Sequence, residues 1–238
     1  MTGATQPSRP DRHPLVVVVT AGLSQPSSTR LLADRLASAT VTALGPPGQA
    51  AVVEVVELRE WAHDLTNHLL TGFPSPSLRD VLDSVAAADA LIAVSPIFSA
   101  SYSGLFKMFF DVVEPGALDG TPVLIGATGG SARHSLALEH ALRPLFSYLR
   151  ATVVPTGVYA ATEDWAAPQL RDAGTIAAGG AHSSELTARI DRAAGELARL
   201  VRPGRPEVQQ PDDEHDPEVV PFSRLLAAQR AAAGQRFR

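Results

Sequence analysis

The run Leu15-Val-Val-Val-Val19 constrains the fold more than any other part of the chain. It is apolar throughout and mostly β-branched, so a strand built from it has to be covered on both faces. Strands of that kind belong to parallel sheets with helices above and below, and the rest of the chain supplies the alternation such a sheet needs. Leu31, Leu32, Leu36 and Leu44 follow at helical spacing, and Gly45-Pro-Pro-Gly48 ends that helix. Residues 52–58 read as a second strand, and Leu78, Val81, Leu82 and Val85 as an amphipathic helix. A third strand is expected over 90–94 with a helix over 105–113, and a fourth strand over 122–127, opened by Pro122. Residues 135–149 form a helix that Pro144 must kink or break. Residues 152–160 make a fifth strand, bent at Pro155 or Gly157. The Ala-, Gly- and Pro-rich stretch 164–180 reads as loop, and Leu186, Ile190, Leu197, Leu200 and Val201 mark a final long helix. The pattern predicts an α/β, doubly wound, five-stranded parallel sheet with helices on both faces.

With 238 residues, 45% of them apolar and 19% charged, the chain can bury an ordinary globular core. A formal net charge of -5 without any Lys/Arg run argues against nucleic acid as a partner. The absence of cysteine excludes disulfides, Cys-ligated metal and thiol catalysis, and fits a reducing compartment. Residues 1–14 are polar and flexible, without the apolar core of a signal peptide, and no run is long enough to span a bilayer. The domain is expected over 15–202, cytoplasmic and not in a membrane. Residues 203–238 form a Pro-rich, acidic linker and a short tail helix. They read either as a disordered tail or as an arm that docks Phe222, Leu225 and Leu226 on a neighbouring subunit.

In a doubly wound sheet the ligand sits outside the carboxyl ends of the strands, where the strand order reverses. The loops to consider therefore follow the first, third and fourth strands. The first, Ala21-Gly-Leu-Ser-Gln-Pro-Ser-Ser-Thr29, is dense in hydroxyls and runs into a helix N-terminus, which favours an anion. It has neither the Walker pattern nor Gly-x-Gly-x-x-Gly, which leaves a small phosphate monoester, or else simple N-capping by Ser27, Ser28 or Thr29. The second, from Ser95 to Ser103, places Pro96, Ile97 and Phe98 where a flat aromatic ligand can rest. Core or subunit packing is the commoner fate of aromatics such as Phe98 and Tyr102. The third, Ala127-Thr-Gly-Gly-Ser-Ala-Arg-His134, has two glycines that allow close approach to the backbone or simply make a tight turn. Arg133 and His134 follow, with no carboxylate near His134 in sequence to make it a catalytic acid. Lys107 reads as a snorkelling surface residue. His63 and His68 are poorly spaced for a metal pair, and no Gly-x-Ser-x-Gly elbow or His-Glu-x-x-His is present.

The stretch Ser95-Pro-Ile-Phe-Ser-Ala-Ser-Tyr-Ser-Gly-Leu-Phe-Lys-Met-Phe-Phe-Asp111 resembles Ser-Pro-x-Tyr-x-x-Ser-x-x-Gly-x-Leu-Lys-x-x-x-Asp of the NADPH-dependent FMN reductase family, of flavodoxin-like fold. The first loop, through Arg30, is similar to that family's phosphate loop, and Thr128-Gly-Gly130 to its segment beside the flavin ring. The resemblance covers about 15–200 and is nearest to actinobacterial members that work beside luciferase-like monooxygenases. It implies that Ser24, Ser27, Ser28 and Thr29 hold the FMN phosphate, with Ser24 where the family has Arg and Gly22 where it has Ser. It further implies that Pro96, Ile97, Phe98, Ser99 and Ser101 meet the isoalloxazine and ribityl chain, and that Thr128, Gly129 and Gly130 border the pyrimidine side. No catalytic side chain is implied, because the flavin carries the hydride chemistry. The implied cofactors are FMN and NAD(P)H, NADPH favoured, and the implied assembly is a homodimer or homotetramer with a flavin monooxygenase as a partner. The rivals on the same fold are an FMN-binding electron carrier of flavodoxin type and a quinone or azo reductase. From another class, a flavin-free regulatory module would leave the loop hydroxyls without a purpose.

Overall fold

The computed structural model describes residues 13–45, 51–165, 170–171, 175–176 and 179–201. Its elements in chain order are β1 (Leu15–Thr20), α1 (Ser28–Leu44), β2 (Val52–Glu57), a 3-10 turn (Leu58–Trp61), α2 (Ala62–Thr71) and α3 (Pro76–Ala86). Next come β3 (Ala90–Phe98), β4 (Ser101–Tyr102), α4 (Gly104–Asp111) and β5 (Pro122–Gly129). A 3-10 turn (Ala132–His134), a π turn (Leu138–Leu142) and α5 (Arg143–Tyr148) lead to β6 (Thr152–Val153) and β7 (Val158–Ala161). After a further 3-10 turn, Thr162–Trp165, the two-residue strands β8 (Leu170–Arg171) and β9 (Thr175–Ile176) pair antiparallel, and α6 (Gly179–Leu200) follows. The expectations for residues 1–12 and for the tail from 203 fall outside the described residues.

The sheet runs β2-β1-β3-β5, with β6 and β7 both on the outer side of β5. All these pairs are parallel, and only β4 folds back antiparallel on β3. Counting the split edge as one strand and leaving the β4 hairpin aside, this is the flavodoxin-like order 2-1-3-4-5. Side chains alternate across β1 as a strand requires. Val17 and Val19 face a core built with Leu65, Leu78, Val85, Phe106, Phe109 and Phe146 of α2 to α5. Val16 and Val18 face Leu32 and Leu36 of α1 and Leu186, Ile190 and Leu197 of α6. The unbroken run at 15–19 is explained by these two cores. Phe106, Phe109 and Phe146 are fully buried, and each contributes about 1.5–3 kcal/mol relative to exposure. Their tilted and edge contacts, with Phe110 to Phe146 at 4.9 Å between ring centres, fix α4 directly behind the hairpin.

Besides the segment 95–103, described below, four elements differ from the sequence expectation. Helix α2 is added: only Leu65 of it is buried, so it lacks the apolar stripe that reveals an amphipathic helix. The helix expected over 135–149 is a π turn running directly into α5, and the change from π to α geometry falls at Pro144, which cannot donate to a preceding carbonyl. The loop expected over 164–180 contains β8 and β9, and α6 begins at Gly179. The fifth strand is bent where expected, and more sharply. Between β6 and β7 the register against β5 slips by two residues, from Val123↔Val153 to Gly126↔Val158.

That slip exposes backbone groups that need partners. Arg143 of α5 donates to the Val154 and Pro155 carbonyls, both at 3.0 Å. Glu196 of α6 accepts from the Thr156 amide at 2.7 Å and from its hydroxyl at 2.8 Å. Replacing Glu196 with Ala leaves both Thr156 donors without this acceptor. We expect Glu196→Ala to lower the unfolding free energy by about 1–3 kcal/mol, read as a fall in the denaturant midpoint with an unchanged slope.

Candidate functional site

Loop one leaves β1 at Ala21, whose amide donates to the Val94 carbonyl of β3 at 3.0 Å. Ser27 caps α1 by accepting from the Arg30 amide at 3.2 Å, which satisfies one of the free donors of the first turn. Ser24 and Ser28 are exposed, and Ser27 is partly buried. Thr29 is buried, and its Oγ1 lies 2.8 Å from Thr128 Oγ1 at the end of β5. A Cβ at Gly22 would stand 2.1 Å from Ser27 Oγ, so the loop can close this tightly only over a glycine.

The segment from Ser95 to Ser103 is a hairpin and not the open loop expected. Strand β3 continues through Pro96, whose register partner on β5 is Thr128, and reaches Phe98. Ile97 then pairs with Tyr102 and Phe98 with Ser101. The turn residues Ser99 and Ala100 have φ of 50° and 68°, the left-handed pair of a two-residue hairpin turn usually made by Asn-Gly. Holding two L-residues there costs about 1–2 kcal/mol each, and strain of this kind collects at ligand sites. Ser95, fully buried, holds the hairpin base: its Oγ donates to the Pro96 carbonyl at 2.9 Å and accepts from the Ser103 amide at 3.0 Å. Tyr102 packs on Phe106, ring centres 5.7 Å apart, whereas Phe98 remains 49% exposed at the hairpin tip. Tyr102 therefore takes the packing role, and Phe98 is left exposed.

The third segment is held from behind. Tyr159 of β7 donates its hydroxyl to the Ser131 carbonyl at 2.9 Å. Burial, with Glu163 and Asp164 adding to it, pushes the Tyr159 phenol above its ordinary value, so it stays a donor through neutral pH. A Cβ at Gly129 would lie 2.1 Å from the Tyr159 oxygen, while one at Gly130 would meet nothing within 4 Å. Gly129 thus answers a close contact, and Gly130 opens outward.

The three segments lie at one end of the sheet, and none carries a carboxylate. With the free amides of the α1 N-terminus, exposed hydroxyls and an exposed aromatic, the site suits an anionic group joined to a flat ring system. Lys107 pairs with Asp111 along α4, in keeping with a surface role. His134 and Arg133 are exposed on their 3-10 turn, His63 and His68 lie on α2, and no metal-binding cluster exists among the described residues. Sequence reasoning missed the contact of Tyr159 with the third segment, and it missed that Glu57 and Arg59, at the end of β2, lie beside loop one. The signal for Arg59 was positional: β2 adjoins β1, so its carboxyl end lies beside loop one.

A model of the NADPH-dependent FMN reductase family matches residues 14–166. The chain is 40% identical over 152 residues to FMN reductase (NADPH) of Pseudomonas aeruginosa, covering 63% of this chain and 78% of that protein. It is 37% identical over 185 residues to NADH-dependent FMN reductase SfnF of Pseudomonas fluorescens, covering 78% of this chain and 90% of that one. Among solved structures, an oxidoreductase of Corynebacterium diphtheriae is similar with a TM-score of 0.72 and 46% identity, over 80% of this chain and 98% of that one. No described helix is long and apolar enough to cross a membrane.

The contact between Gly129 and Tyr159 makes a test of the third segment by double mutation. Gly129→Ala should destabilise by about 1–3 kcal/mol through overpacking, and Tyr159→Phe by about 1 kcal/mol through its lost hydrogen bond. The pair should cost less than the sum, because removing the hydroxyl removes the clash. The Tyr159 contribution is present below the unfolded phenol value of about 10 and is lost as pH rises through the higher folded value. Chemical denaturation of the four proteins at neutral pH, and of wild type across the alkaline range, checks both.

Proposed function

The chain belongs to the NADPH-dependent FMN reductase family, and on that premise we propose that it is an NAD(P)H:FMN oxidoreductase whose flavin lies across the three segments. The observation that carries the reading is the 2.8 Å bond between Thr29 and Thr128, which ties the end of loop one to the end of β5 at a single point. Ser24, Ser27, Ser28 and Thr29 receive the phosphate with the first-turn amides of α1. Pro96, Ile97, Phe98, Ser99 and Ser101 receive the isoalloxazine and ribityl chain, and Thr128, Gly129 and Gly130 border the pyrimidine side. Held by these residues, the flavin would supply the hydride chemistry with NAD(P)H, and the protein would bind and orient it.

The protein supplies orientation and dipoles. Pairing of Ile97 with Tyr102 and of Phe98 with Ser101 holds the strained turn at Ser99 and Ala100 in one shape before the ligand arrives, so little ordering remains to be done on binding. Phe98, half exposed, offers an apolar face without sealing the site. No side chain needs to move a proton in this reading, because the flavin would carry the hydride chemistry. Phe98, left half exposed at the hairpin tip, supports a flavin that leaves after reduction, and hence an acceptor such as a partner flavin monooxygenase. The actinobacterial members that serve luciferase-like monooxygenases remain the nearest subgroup in this reading. A cytoplasmic setting, where nicotinamide nucleotide is supplied, belongs to it, as does a homodimer or homotetramer. Exposed Leu70, Phe73 and Tyr148 offer apolar area for such an assembly.

Oxidation of NADPH and of NADH by purified protein, with and without FMN, tests the proposal. We expect turnover that saturates with FMN in the micromolar range. A protein that holds FMN and ignores both nucleotides would be an electron carrier. One that binds no flavin would overturn the placement of the site as well.

A further inference from the structure

Loop one has no charged residue between Ala21 and Thr29, and Ser24 stands where an arginine would. A dianionic phosphate held by hydroxyls and amides alone lacks the strongest partner available to it, a planar guanidinium. The structure brings one to the loop from elsewhere. β2 pairs with β1 so that Glu57 lies opposite Thr20, and the 3-10 turn after β2 places Arg59 next to the loop leaving β1.

With the Gln25 amide turned so that its oxygen faces inward, that oxygen accepts from both Nη1 and Nη2 of Arg59. A carboxamide oxygen seated between the two terminal nitrogens occupies the position that a phosphate oxygen takes in an arginine fork. The guanidinium is prepared for such a partner. Its Nη2 lies 3.1 Å from Glu57, the other oxygen of that carboxylate pairs with Arg30, and the Arg59 side chain is only 22% exposed. Its Nε is buried with no hydrogen-bond partner among the described residues. Glu60, at 3.9 Å, and Asp34, paired with Arg30, complete the surroundings. Both are well exposed, at 63% and 48%, so solvent and salt screen them more than they screen the two arginines.

We propose that Arg59 is the cation of this protein's phosphate site, supplied from the end of β2 in place of a loop arginine, and that it selects ligands carrying a phosphate monoester. Gln25 holds the fork in the ligand-free protein and yields it to the phosphate. This rests on the reductase reading and deepens it. The monoester is the 5′-phosphate of FMN or the 2′-phosphate of NADPH, and one experiment separates the two.

Dissociation constants for FMN and for riboflavin, read from flavin fluorescence, are compared for wild type and Arg59→Gln, alongside KM for NADPH and NADH. We expect FMN binding to weaken about ten- to hundredfold, with riboflavin binding changed by less than about twofold, so that the preference for the phosphorylated flavin collapses. An unchanged flavin ratio with a lost preference for NADPH over NADH assigns Arg59 to the 2′-phosphate instead. If both ratios are unchanged, whether each ligand weakens equally or none does, Arg59 acts only on the fold or not at all, and the proposal is overturned. Should Arg59→Gln fail to fold, Arg59→Lys keeps a charge and breaks the fork. The same ratios then decide, with a smaller fall expected and no fall in either overturning the proposal. A wild type that binds neither flavin contradicts the reductase reading itself, and so is distinct from a failure of Arg59 alone.

Discussion

Parallel pairing of β1, β3 and β5 is the constraint on which everything at the site depends. Their register brings Thr20 beside Val94 and Pro96 beside Thr128, so the segments that follow these strands leave from one edge of the sheet. Segments separated by about a hundred positions in sequence therefore meet without any long-range loop having to find its own way. The two valine faces of β1 make this possible, because each anchors the sheet to a separate helical layer. A polar residue at 16–19 would strip one layer of a contact and tilt the strand that loop one leaves.

On that edge, close fit replaces charge. Gly22 lets Ser27 cap α1 within the loop, Gly129 lets Tyr159 reach the backbone behind the third segment, and Ser95 ties the hairpin to its own base. Each device uses a backbone group or a short hydroxyl, and none brings a carboxylate into the space between. Charge enters from the side, at Arg59, held by a carboxylate that it shares with Arg30. An edge of amides and hydroxyls with one adjoining guanidinium is suited to grip a phosphate and leave a ring system accessible.

Much of this was legible in the sequence because periodicity reports burial. The run at 15–19 and the helical leucines register contact with a core, and the break at Pro155 to Gly157 is marked by residues that interrupt a strand. What was hidden lacked that signature. Helix α2 buries only Leu65, so no stripe betrays it. The hairpin at 95–102 turns on Ser99 and Ala100, residues that carry none of the Asn-Gly signal of their turn type. Seryl density and Pro96 therefore read as open loop. The bond between Thr29 and Thr128 and the reach of Arg59 to Gln25 are tertiary facts, which local pattern does not encode. The family resemblance pointed to three segments that the sheet brings to one end, and was silent on Arg59, which lies outside its motifs.

The central claim is that three segments separated in sequence make one ligand site. Hydrogen exchange of the full chain with and without FMN tests it most directly. The account predicts slowed exchange in 22–30, 95–103 and 128–131 together, with the same dependence on FMN concentration in all three. Protection confined to one segment, or found instead along the outer face of α1 and α6, would contradict it.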